Sequence, residues 1–204
     1  LVDFCAKNSI KIHVKKVSEN ISKNIEEKCR NIRYLFFEEI SQITIFDAIL
    51  VAHNLDDNLE TFLLQKQRKN IVENFGLKYV SKMMDYTVVR PLLDYSKEEI
   101  MEYVKKNNVP YSIDKTNLET KYERNKIRHN VVFKMNSEEK SLLLKEMLKM
   151  NIDLLTRRNN ILKANTNDIS TICGYLDEDL AYYLTVLGRK FVPDLELSMK
   201  RRGN

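Results

Sequence analysis

The chain has 204 residues, 31% of them charged and 43% hydrophobic, with four glycines, three prolines and no tryptophan. That apolar content argues against intrinsic disorder, and the scarcity of Gly and Pro argues against many-turned all-β sandwiches and collagen-like or low-complexity chains. A net charge of +5, from 34 Lys and Arg against 29 Asp and Glu, permits an anionic partner such as RNA without demanding one.

The length suits one compact domain, or one domain with a small appendix. Gly76, Gly174, Gly188 and Gly203 are isolated from one another, so the chain offers no glycine-rich phosphate loop. Cys5, Cys29 and Cys173 are odd in number and form no CxxC pair, which supports neither a disulfide framework nor a zinc or iron–sulfur motif. A reduced, cytoplasmic setting is the default expectation. No apolar run approaches the roughly 18 residues of a membrane span, and the opening residues lack the regions of a signal peptide. The chain begins with Leu1, and its first residues read as the middle of an amphipathic helix. A piece lacking an N-terminal segment is therefore expected.

In chain order, residues 10–17 alternate apolar and polar, which predicts a strand with one buried face and His13 on its polar side. From Ser22 to Ile40 the apolar residues Ile25, Cys29, Ile32, Phe36 and Ile40 recur at helical spacing, with Arg30, Arg33 and Tyr34 along the helix. The run Ile43–Ala52 ends as a short apolar strand of the kind buried on both faces. It leads directly into His53-Asn54-Leu55-Asp56-Asp57 and a helix to about Lys69. Helix, buried strand and helix predict an α/β fold around a parallel sheet, whose sites gather at the carboxyl ends of strands. Residues 80–91 contain an extended piece ending at Arg90-Pro91. Ser96 with Glu99 forms a capping box that opens a helix to about Asn107. After Pro110 and a loop, helices are expected over 121–132 and 137–150, and the remainder to Asn204 reads as a small helical appendix.

Three segments carry possible chemistry. In His53–Thr61, Asp57 and Glu60 stand three apart on one helix face, a carboxylate pair able to hold an ammonium group or a metal ion. The same residues also describe a well-capped helix, with Asn54 or Asp56 as cap. In Tyr122–Arg128, Arg124 and Arg128 stand four apart, so their guanidinium forks point the same way, as phosphate or carboxylate recognition needs. A solvated basic face partnered by Glu123 and Asp114 gives the same pattern. Pro91 holds Arg90 in extended geometry, aimed at a site or simply at a sheet-edge turn. Lys200-Arg201-Arg202 is a basic cluster of the kind that touches RNA backbone. There is no GxSxG, HExxH or Walker-type loop.

Together, Arg30-x-x-Arg33-Tyr34, Ala52–Thr61, Arg90-Pro91-Leu92-Leu93, Asp114-x-Thr116-Asn117 and Tyr122-x-Arg124-Asn125-x-Ile127-Arg128 occur in an order that resembles the tRNA(Ile)-lysidine synthetase family of the N-type ATP-pyrophosphatase, or PP-loop, group. The resemblance covers about residues 1–132. It implies a partial Rossmann-like adenine-nucleotide domain over 1–132 and a helical domain on the tRNA side over 133–204. It also implies lysidine formation: ATP activates the wobble cytidine of an isoleucine tRNA, and free L-lysine displaces AMP. Magnesium accompanies ATP as its complex.

By the same resemblance, Asp57 and Glu60 hold the substrate lysine and serve catalysis, and Arg124, Asn125 and Arg128 bind substrate. His53 and Asp56 lie by the nucleotide and Arg90 meets RNA; Lys200, Arg201 and Arg202, outside the resemblance, are expected to meet RNA on their basic character alone. No resident metal and no membrane are implied, and a homodimer is possible. Asn54 departs from the family's second histidine, and its Ser-Gly-Gly-x-Asp-Ser loop is missing. Two alternatives remain: a thiolating PP-loop enzyme, and a non-catalytic RNA-binding relative. Upstream coding sequence carrying the missing loop favours the enzyme. This chain alone is expected to show no ATP–pyrophosphate exchange, and exchange measured with it would contradict either the resemblance or its reading as a piece.

Overall fold

The computed structural model describes residues 2–17, 25–69, 72–83, 86–112 and 123–163. In chain order these form α1 (Val2–Lys7), α2 (Ile25–Ile43), β1 (Ala48–Leu50), α3 (Leu55–Arg68), β2 (Val80–Met83), β3 (Tyr86–Val89), α4 (Lys97–Lys106), α5 (Glu123–Asn130), a 3-10 turn (Val132–Lys134) and α6 (Ser137–Lys163). The chain divides into two compact units, Leu1–Ile49 with Met83–Thr87, and Leu50–Lys82 with Val88–Asn204.

The described strands make one sheet in the order β1-β3-β2. Just past the end of β1, Val51 N–H donates to Val89 O of β3 at 2.9 Å, and Arg90 N–H donates to Tyr79 O at 2.9 Å. Only residues 84–85 separate β2 from β3, and so short a connection forces an antiparallel pair. The expected parallel sheet thus carries an antiparallel pair among the described strands. The doubly buried strand is corrected, since Leu50 is 71% exposed.

Residues 10–17 form no strand. Ile10 N–H instead donates to Cys5 O at the end of α1, and Ile10, Val14 and Val17 are all exposed. Alternation specifies a strand only where a neighbouring strand accepts the hydrogen bonds and a face is covered.

The helices follow the sequence more closely. Ser96 caps α4: its Oγ accepts from Glu99 N–H at 3.2 Å, and Glu99 Oε2 accepts from Ser96 N–H at 2.7 Å. The bond from the Ser96 backbone, then that from its side chain, holds the Glu99 carboxyl below its ordinary value. Lys69, in the left-handed region at φ 49°, ends α3. The helix expected to end near Met150 continues to Lys163.

In the second unit, α3 packs with α5, the 3-10 turn and α6. Leu59 and Phe62 are fully buried, and Phe62 meets Phe75 edge-to-face at 5.9 Å. Burying such a side chain contributes about 1.5–3 kcal/mol.

The loop before β2 is pinned by side chains. Gln65 Oε1 accepts from Gly76 N–H at 2.7 Å, Asn58 Oδ1 from Leu77 N–H at 2.6 Å and Asn151 Oδ1 from Phe75 N–H at 2.8 Å. Arg158 donates to the carbonyls of Val72 and Glu73. Gly76 has φ +72°, and a Cβ there would run into Asn58 Oδ1 and Met147 Sδ. Gly76→Ala is expected to cost about 2–4 kcal/mol, from left-handed strain plus displaced neighbours. A urea midpoint equal to wild type would contradict this.

Candidate functional site

The site is built on the first two turns of α3. Asn54 caps the helix: Asn54 Oδ1 accepts from Asp57 N–H at 3.0 Å, and Asp57 Oδ2 accepts from Asn54 N–H at 3.1 Å. The short amide makes one half of this box and the Asp57 carboxylate the other, which gives Asn54 a place where the resemblance expects histidine. His53, half-buried, directly precedes the cap.

The first-turn amides of a helix have no partners within it and must find them elsewhere. Leu55 N–H donates to Tyr95 O at 2.9 Å. Asp56 Oδ2 accepts from Lys97 N–H at 2.7 Å, and Asp56 Oδ1 lies 2.8 Å from Lys140 Nζ. Both side chains are buried, Asp56 at 3% exposure and Lys140 at 4%, with Glu98 Oε2 at 3.7 Å from the same ammonium.

One turn on, Glu60 is fully buried. Arg128 reaches it with both arms of its fork, Nε to Oε1 at 2.6 Å and Nη2 to Oε2 at 2.9 Å. Arg124 Nε donates to Glu60 Oε2 at 3.2 Å. Asp57 Oδ1 accepts from Arg128 Nη2 at 3.1 Å, with Arg124 Nη2 at 3.7 Å. Two carboxylates of α3 thus face two guanidinium groups of α5, a balanced set of charges. The spacing of three on one helix and four on the other brings all four together. Arg124, at 33% side-chain exposure, and Asp57, at 19%, form the solvent-facing side.

The expected surface partners of Arg124 are replaced by Glu60 and Asp57. Glu123 instead pairs with Arg68, and Asp114 lies outside the described residues. Asn125 is buried beside the arginines.

Two of the expected site residues are engaged within the fold. Asp56, expected beside the nucleotide, is buried and bound to Lys97 N–H and Lys140. Arg90, expected at RNA, is 7% exposed, with Nη1 donating to Lys78 O at 2.8 Å and Ser81 Oγ at 2.9 Å. It fastens the strand hairpin.

Thr116, Asn117, Tyr122, Lys200, Arg201 and Arg202 lie outside the described residues. Among the described residues, no group of three or more His, Cys, Asp or Glu could hold a metal ion, and no helix is long and apolar enough to cross a membrane.

Sequence reading missed Lys140, Asn58, Gly76 and Arg158. The available signal for Lys140 was its register: on α6 it shares the buried stripe of Met147, Leu154 and Arg158, where a lysine needs a buried partner.

A model of the PP-loop domain matches residues 1–135. Over 203 aligned residues the chain is 37% identical to the tRNA(Ile)-lysidine synthase of Mesoplasma florum, covering 93% of this chain and 50% of that protein. It is 41% identical over 131 residues to the enzyme of that name from Mycoplasma mycoides, covering 63% of this chain and 33% of the relative. With that of Pseudothermotoga lettingae the identity is 39% over 136 residues, covering 63% and 29%. The chain therefore spans half or less of the length of these curated relatives.

Because the buried Glu60 is the shared partner of two guanidinium groups, Glu60→Ala is expected to cost about 3–5 kcal/mol in urea denaturation. A loss below about 1 kcal/mol would show that the cluster is not a buried ion network.

Proposed function

The chain belongs to the PP-loop domain family, and on that premise we propose that it is part of an enzyme that joins free lysine to the wobble cytidine of an isoleucine tRNA. The family implies a Rossmann-like fold and the use of ATP. In the proposed reaction the ring-position-2 oxygen of cytidine attacks the α-phosphorus of ATP and pyrophosphate leaves. The side-chain amine of lysine then attacks the activated carbon, and AMP carries the oxygen away. Adenylation turns a poor leaving oxygen into a good one, and the protein's remaining task is to hold the amine beside that carbon.

The observation that carries the reading is the partly exposed Asp57 beside the buried Glu60, set against two arginines of α5. Asp57 is proposed to receive the substrate's α-ammonium, leaving the side-chain amine free to react. Glu60 is wholly committed to guanidinium groups, so it is proposed to fix Arg124 and Arg128. Arg124, the more exposed of the two, is proposed to meet the lysine carboxylate or a phosphate. Relatives named tRNA(Ile)-lysidine synthase support the choice of substrates. His53 is proposed to lie near the nucleotide, and Lys200, Arg201 and Arg202 near the tRNA backbone. Magnesium enters with ATP, held by the triphosphate. Residues 1–132 are proposed as the nucleotide part and 133–204 as the tRNA-side part, in a cytoplasmic enzyme that could pair as a homodimer.

In the complete protein that carries this chain, AMP release from ATP is expected to require both lysine and isoleucine tRNA. Asp57→Asn is expected to raise the KM for lysine roughly 10- to 100-fold, the loss of one charge-assisted contact, and to leave the KM for ATP near wild type. AMP release indifferent to lysine would contradict the proposal.

A further inference from the structure

We infer that Lys140 is a positioning residue: through Asp56 it fixes the first turn of α3, and so the place at which Asp57 presents its carboxylate to lysine. The inference rests on the functional reading above. Lys140 reaches Asp56 at 2.8 Å from α6, outside the 1–135 span matched by the PP-loop domain model. It sits in a buried stripe whose other members include the apolar Met147 and Leu154. Uncharged side chains in place of both Asp56 and Lys140 would serve stability about as well, because a buried ion pair roughly cancels its own desolvation cost. The pair therefore answers a need other than stability.

That need is visible in two hydrogen bonds and one ion pair. The first turn of α3 is held from outside: Leu55 N–H by Tyr95 O, Asp56 Oδ2 by Lys97 N–H, and Asp56 Oδ1 by Lys140. The start of α4 supplies the first two anchors and α6 the third. Asp57 is the next residue, and its Oδ2 is already engaged with Asn54 N–H. A shift of the turn therefore moves the carboxylate as a unit. The charges agree with this role. Asp56, Asp57 and Glu60 are met by Lys140, Arg124 and Arg128, and Lys140 neutralises the one carboxylate that the arginines do not reach.

The test compares steady-state KM values for lysine and ATP in the complete protein. Lys140→Met alone would leave a buried anion whose attraction for ammonium opposes the positioning effect. The decisive variant is therefore Asp56→Asn with Lys140→Met, which keeps the net charge. It is expected to fold with a urea midpoint near wild type, to raise the lysine KM roughly tenfold or more, and to leave the ATP KM within about twofold. A lysine KM within about twofold of wild type, or a fall in kcat alone, overturns the inference. Should the double variant not fold, Asp56→Asn alone is read instead, since Glu98 stands 3.7 Å from the ammonium to receive it. The same KM split supports the inference, and an unchanged lysine KM overturns it. Wild-type enzyme without lysine-dependent AMP release overturns the functional reading itself, which separates the two failures.

Discussion

A carboxylate without solvent, Glu60, lies against two guanidinium groups, and the geometry of the site follows from that constraint. A buried anion must be met by fixed cations with good hydrogen-bond geometry. Arg128 meets it with a two-armed fork and Arg124 with a single bond. Those bonds leave α5 little freedom in rotation or register against α3. Asp57, one helical turn before Glu60, is carried to the same place and keeps part of its surface open.

The same logic repeats one residue earlier. Asp56 ties α3 to the start of α4 and to α6, while Asp57 and Glu60 together tie it to α5. Below them Asn58 and Gln65 of α3, with Asn151 and Arg158 of α6, hold the backbone of the Gly76 loop. The site is thus a set of polar fixtures standing on an apolar base of Leu59, Phe62 and Val132. Such fixtures suit a reaction in which an amine must be held beside an activated carbon.

What could be read from the sequence was what short-range periodicity encodes. The spacing of Asp57 with Glu60 and of Arg124 with Arg128 gave the faces that meet, and Ser96 with Glu99 gave the start of α4. What escaped depends on partners far along the chain. Nothing near Asp56 announces Lys140, which lies 84 residues away, and nothing near Arg90 shows that its guanidinium turns back onto Lys78 O and Ser81 Oγ. The alternation of residues 10–17 failed for the complementary reason, since a local pattern cannot supply the neighbouring strand that would give it meaning. The isolated Gly76 mattered for its backbone angle, a property independent of any phosphate loop.

The central claim is that the carboxylates at the head of α3 deliver free lysine to a cytidine of tRNA. Mass spectrometry of the wobble nucleoside, after incubating isoleucine tRNA with ATP, lysine and the complete protein, tests it most directly. The account predicts a cytidine heavier by one lysine less one water. An unmodified cytidine, or one carrying sulfur in place of oxygen, would contradict it.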